Sequence, residues 1–233
     1  MFKVFIGVGH GGSDPGAVGI LTEKTVNLEM ALACRDYLET YGVNVMLSRD
    51  RDKDDSLQSR IKKCNDFNPD LAIDIHNNAG GGDGFEVFYH YRGGKSLVLA
   101  KNLENAVKSI GQNSRGVKTK LNDNKTDYFA FIRETFAPAV ITEGFFLDNP
   151  KDTEIGDTIE EQRAFGRAYA VGILKTLGIN TERVDINTER VDINSQTSKK
   201  LYRVQLGAFN DRKNAEFLLQ QLKLKGFNDP FIV

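Results

Sequence analysis

Three histidines occur in the 233 residues, and two of them sit in matching surroundings. His10 lies in FIGVGHGGSDPGAVG (residues 5–19) and His76 in LAIDIHNNAGGG (71–82). Each follows a short apolar run and opens a loop of small and polar residues. An imidazole mounted at a strand end is held stiffly, and neutral imidazole is a common metal ligand. Either histidine alone has a structural explanation. Two at equivalent strand ends of one sheet point to a shared rim. His90, inside FEVFYHY (85–91), lacks such a loop and reads as structural.

Two glutamates extend the set. Glu23, in LTEKTVNLEM, precedes a helical pattern. There it is either a favourable charge at a helix N-terminus or the third ligand of a His₂Glu zinc set. Glu143 closes the apolar run AVITE (139–143). Partial burial would raise its pKa toward that of a general base, whereas a surface glutamate would stay acidic. Three ligands leave zinc a fourth position for water, whose pKa then falls to about 7. Arg133, in AFIRET, is a surface arginine or a partner for a substrate carboxylate. Asp14 either fixes the DPG turn or orients His10. Glycines around His10 and at 80–82 would let a bulky substrate approach.

Elements that could carry these residues alternate along residues 1–178. Strands are expected at FKVFIGV, 43–47, 71–75, 85–91 and 139–143, and helices at 25–41, 56–67, 95–110 and 159–178. Such alternation predicts an α/β fold with a mostly parallel sheet flanked by helices, whose sites gather at the carboxyl ends of the strands. Residues 179–199 read as a polar linker holding a tandem heptapeptide, NTERVDINTERVDIN. Residues 200–233 read as a small βαβ appendage.

Acidic and basic residues nearly cancel (32 against 31), which argues against nucleic acid as a partner. No apolar run is long enough to span a membrane, and the N-terminus reads as a first strand, with no signal peptide visible. Cys34 and Cys64 fall in predicted helices and read as buried free thiols.

GHGGSDPGAVG, TEKTVNLEMA, AIDIHNNAG and PAVITEGFFLDNP occur in the same order and at similar spacing as in zinc-dependent N-acetylmuramoyl-L-alanine amidases of bacterial autolysins and phage endolysins. The resemblance covers roughly residues 2–178. It implies zinc on His10, Glu23 and His76, and a catalytic glutamate at Glu143. It also implies cleavage of the amide between N-acetylmuramic acid and L-alanine of peptidoglycan. Residues 200–233 resemble the first half of a SPOR domain, a peptidoglycan-binding module. A half-domain would be vestigial, pack on the amidase, or pair with a second tail in a homodimer. The expected setting is synthesis in the cytoplasm and action at the bacterial cell wall. Two rivals are a non-catalytic wall-binding protein and a zinc peptidase cutting within the stem peptide.

Overall fold

The computed structural model describes residues 1–181. The tandem heptapeptide and the C-terminal βαβ segment lie outside the described residues. Strands β1 (Lys3–Val8), β2 (Asn44–Leu47), β3 (Leu71–Asn78), β4 (Phe85–Tyr89), β5 (Ser114–Lys118) and β6 (Ala139–Phe146) form one sheet. The main helices are α1 (Glu23–Thr40), α2 (Leu57–Phe67), α3 (Lys95–Ser109) and α6 (Ile159–Leu177). Two short ones, α4 (Ala130–Glu134) and α5 (Pro150–Thr153), complete the described set.

Strand order is β2-β1-β3-β6-β4-β5. All neighbouring pairs are parallel except β4 with β6, so the mostly parallel sheet is in fact mixed. The strands that meet at its centre carry continuous apolar runs, as strands covered on both faces do. On one face Val4, Ile6, Ile73 and Val140 pack with Met30, Leu38, Leu103, Phe165 and Ile173 from α1, α3 and α6. On the other, Phe5, Ala72, Ala139 and Ile141 pack with Ile61 and Cys64 of α2 and with Phe131 and Ile132 of α4. The helix ends are set by local chemistry. Thr158 and Glu161 form a reciprocal capping box on α6, and Gly178 closes it in a left-handed conformation.

Strand β4 ends at Tyr89, two residues short of the expected 91, which leaves His90 outside it, and three boundaries at the site also differ from the sequence reading. Helix α1 starts at Glu23, two residues early, because the preceding loop satisfies its first N–H groups: Glu23 N–H donates to Ala17 O and Lys24 N–H to Pro15 O. Strand β3 runs through His76 to Asn78, since the Asn77 side chain is buried and satisfied by Asn27 and the Phe145 N–H. Strand β6 runs on past Glu143 to Phe146, so Glu143 lies inside the strand and does not end it. Strand β5 and helices α4 and α5 were not anticipated. SRGVK has no alternating apolar pattern, and the two helices span only five and four residues.

Candidate active site

His10, Glu23 and His76 converge at the carboxyl end of β1 and β3, with ligand atoms all within 4.8 Å of one another. His10 stands two residues beyond β1 with φ of 61°, a left-handed conformation that few non-glycine residues adopt. Arg49, only 1% exposed, holds that turn: Nε donates to His10 O at 2.7 Å, and Nη2 to Gly9 O at 3.1 Å and Lys24 O at 2.6 Å. Each imidazole is then oriented by an aspartate. His10 Nδ1 meets Asp14 Oδ2 at 2.8 Å, and His76 Nε2 meets Asp74 Oδ2 at 3.4 Å. Their remaining nitrogens face one carboxylate, His10 Nε2 at 3.2 Å from Glu23 Oε2 and His76 Nδ1 at 3.0 Å from Glu23 Oε1. Asp14 serves both of its anticipated roles, because its Oδ1 accepts the Gly16 N–H of the DPG turn.

The glycines near this cluster make room for the His10, Glu23 and His76 side chains themselves. A Cβ at Gly9 would lie 2.5 Å from the His76 ring, and one at Gly16 would lie 2.6 Å from Glu23 Oε2 and His10 Cδ2. That corrects the expectation of clearance for substrate at these two positions.

The electrostatics of the cluster call for positive charge. Burial opposes charging His76, but Asp74 and Glu23 outweigh it and lift its pKa to about 10. His10 is raised for the same reason, burial being overcome by Glu23. Glu23 resists its own burial and is held far below the usual carboxylate range by the two imidazoles. The gap between the two ring nitrogens and the Glu23 carboxylate thus favours a cationic occupant. Two oriented imidazoles and one buried carboxylate are the donor set of an open hydrolytic zinc site, so the residues fit that metal.

Glu143 is the register partner of His76 on the neighbouring strand. Burial, reinforced by the negative charges of Glu23, Glu86 and Asp74, pushes its pKa up to about 7, although His76 pulls the other way. A carboxyl that changes protonation near neutrality beside such a cluster has the character of a general base.

A family model described as N-acetylmuramoyl-L-alanine amidase matches residues 4–175. The chain belongs to the N-acetylmuramoyl-L-alanine amidase family. A SPOR domain model matches residues 174–233 of this amidase, a span that takes in the tandem heptapeptide. The amidase CwlM of Bacillus licheniformis is 34% identical over 233 residues, covering 98% of this chain and 83% of that protein. The endolysin of Bacillus phage SPP1 is 31% identical over 192 residues, covering 75% of this chain and 68% of that protein. Among solved structures, the catalytic domain of the amidase CwlV from Bacillus (Paenibacillus) polymyxa aligns with a TM-score of 0.70 and 30% identity. That alignment covers 77% of this chain and all of that domain.

Two other anticipated residues lie elsewhere. Arg133 sits on α4, near the amino end of β6, where Nη1 donates to the carbonyls of Asp127 and Tyr128 and Nη2 pairs with Glu134. His90 also lies at that end, with Nε2 3.2 Å from Asp127 Oδ2 and Nδ1 accepting the Arg92 N–H. Cys34 and Cys64 are buried free thiols whose pKa burial raises, Cys64 to about 12.

The sequence reading missed the residues that support the amidase site. Asp74, 1% exposed, pairs with the buried Arg60 of α2 at 3.2 Å while it orients His76. Its signal was present: a lone aspartate in the apolar run LAIDI, two residues before His76 and so on the same strand face. Asn27, which bridges Glu23 and the Gly9 carbonyl, and Arg49 had no comparable signal.

Proposed function

We propose that this amidase is zinc-dependent, with His10, Glu23 and His76 as metal ligands and Glu143 as the catalytic acid–base. Its substrate on this reading is the amide joining the lactyl group of N-acetylmuramic acid to L-alanine of the stem peptide. The convergence of His10, Glu23 and His76 next to the strand position of Glu143 carries the reading. Zinc, when bound, supplies Lewis acidity, polarising an amide carbonyl and lowering the pKa of water to about 7.

The chain's own residues do the rest. Asp14 and Asp74 fix the tautomers of His10 and His76, leaving His10 Nε2 and His76 Nδ1 directed at the metal position. Glu143, ionised, takes a proton from the attacking water as the new C–O bond forms. It then returns that proton to the departing L-alanine nitrogen as the C–N bond breaks. Partial burial of Glu143 matches both halves of that task, since a pKa near 7 lets it accept and donate without a large penalty either way.

The SPOR match supports a tail that binds peptidoglycan and action at the cell wall. Mass spectrometry of digested peptidoglycan tests the reading. Free L-alanine amino termini are expected. New D-amino-acid termini would indicate a stem-peptide peptidase, and intact peptidoglycan a wall-binding protein.

A further inference from the structure

The strand row that carries His76 and Glu143 continues toward the edge of the sheet. Glu143 pairs in register with Glu86 of β4, and Glu86 with Gly116 of β5. Between Phe85 and Glu86 the register slips, so that Ser114 and Gly116 are the paired residues of β5 and Arg115 is an extra one. Such a bulge is uncommon between parallel strands and re-aims a side chain. Here it turns Arg115, which strict alternation would send to the opposite face, onto the Glu86 carboxylate. Arg115 Nε pairs with Glu86 Oε1, and Lys118 Nζ meets the same oxygen at 2.7 Å.

Two cations therefore converge on one carboxylate, one strand from Glu143, and the trio keeps a net positive charge. Glu86 is 7% exposed, whereas the Arg115 and Lys118 side chains are 43% and 34% exposed. A buried carboxylate needs one partner, so a second, solvent-facing cation has charge to spare. Beside them the sheet is bare: a Cβ on Gly116 would meet nothing within 4 Å. The guanidinium also lies over the Phe146 ring, 5.2 Å from its centroid, which holds it in place without neutralising it.

We propose that Arg115 and Lys118 form a carboxylate-binding subsite for the peptide side of the substrate, which lies along the row Glu143–Glu86–Gly116. This rests on the amidase reading above. Adjacent strands are about 4.8 Å apart and a peptide residue spans at most about 3.6 Å, so the carboxylate within reach belongs to the residue after L-alanine. An arginine and a lysine would take it by charge-assisted hydrogen bonds, fixing the direction in which the leaving peptide departs.

The test uses the full zinc-loaded chain and two muramoyl tetrapeptides that differ at the second residue, one a glutamate with a free α-carboxylate and one its carboxamide. The wild type is expected to prefer the carboxylate about tenfold in kcat/KM. The variant K118Q, which leaves Arg115 to pair with the buried Glu86, is expected to lose about tenfold on the carboxylate and under twofold on the carboxamide, erasing the preference. Equal losses on both substrates would mean that the cluster only supports the sheet, and equal wild-type rates would also overturn the subsite. Cleavage of neither substrate by the wild type would refute the amidase reading, and the subsite with it.

Discussion

Histidine–aspartate pairs occur at both ends of this sheet, and they differ in what they leave free. At the amino end of β6, His90 spends both ring nitrogens on the fold, one on Asp127 and one on the Arg92 backbone. At the carboxyl end, His10 and His76 each spend one nitrogen on an aspartate and turn the other toward Glu23. The same two residue types thus make a turn anchor in one place and a donor set in the other. The difference lies in convergence on a third group, which neither the histidine nor its aspartate supplies.

Holding a metal and performing chemistry separate at Glu143. Glu143→Gln is expected to lower kcat by about 10³- to 10⁴-fold, measured on peptidoglycan fragments, while the zinc content stays at one per chain. Next comes the contrast between the two ends of the sheet. His76→Ala is expected to lose both bound zinc and activity, read by metal analysis alongside turnover. His90→Ala is expected to keep the zinc content and stay within about twofold in kcat/KM, with a stability loss of about 1 kcal/mol from the broken pair.

The two orienting aspartates differ in burial, Asp14 being exposed and Asp74 buried. Asp14→Asn should weaken zinc binding about tenfold in a competition titration and leave the melting temperature nearly unchanged, since Asp14 is exposed. Asp74→Ala should weaken zinc binding similarly and also destabilise the fold by about 3–5 kcal/mol in urea melts. It strands the Arg60 guanidinium in the interior.

A smaller effect concerns Glu143 in the metal-free protein. Its folded-state pKa of about 7 lies above the ordinary 4.5, so the folded chain holds this proton more tightly than the unfolded one. The stability this confers is complete below pH 4.5 and is lost as pH rises through 7. Glu143→Gln should therefore gain on the wild type by about 1–3 kcal/mol in stability between pH 4.5 and 8.

The legibility of the site follows from where its information resides. His10, His76 and Glu143 could be picked out because each interrupts or ends an apolar strand, a place where a polar residue needs a reason. Glu23 was readable as a first-turn acid, but its contact with His76, 53 residues away, exists only in the folded chain. Arg49 illustrates the opposite limit. It follows β2 among other charged residues in SRDRDKDD, yet it is almost wholly buried by the backbone carbonyls it binds. Strand β5 escaped because a polar edge strand with a bulge carries no period-two pattern, so the Arg115 position was invisible until its register with β4 was known. The antiparallel placement of β4 is likewise a property of the connections, which alternation of elements does not encode.

Anomalous diffraction at the zinc edge from crystals of the full, zinc-loaded chain would locate the metal outright. A single peak is expected about 2.0–2.2 Å from His10 Nε2, a Glu23 carboxylate oxygen and His76 Nδ1, with Glu143 beyond bonding distance. A peak that includes Glu143 among its ligands, or that lies away from these three residues, would contradict the account.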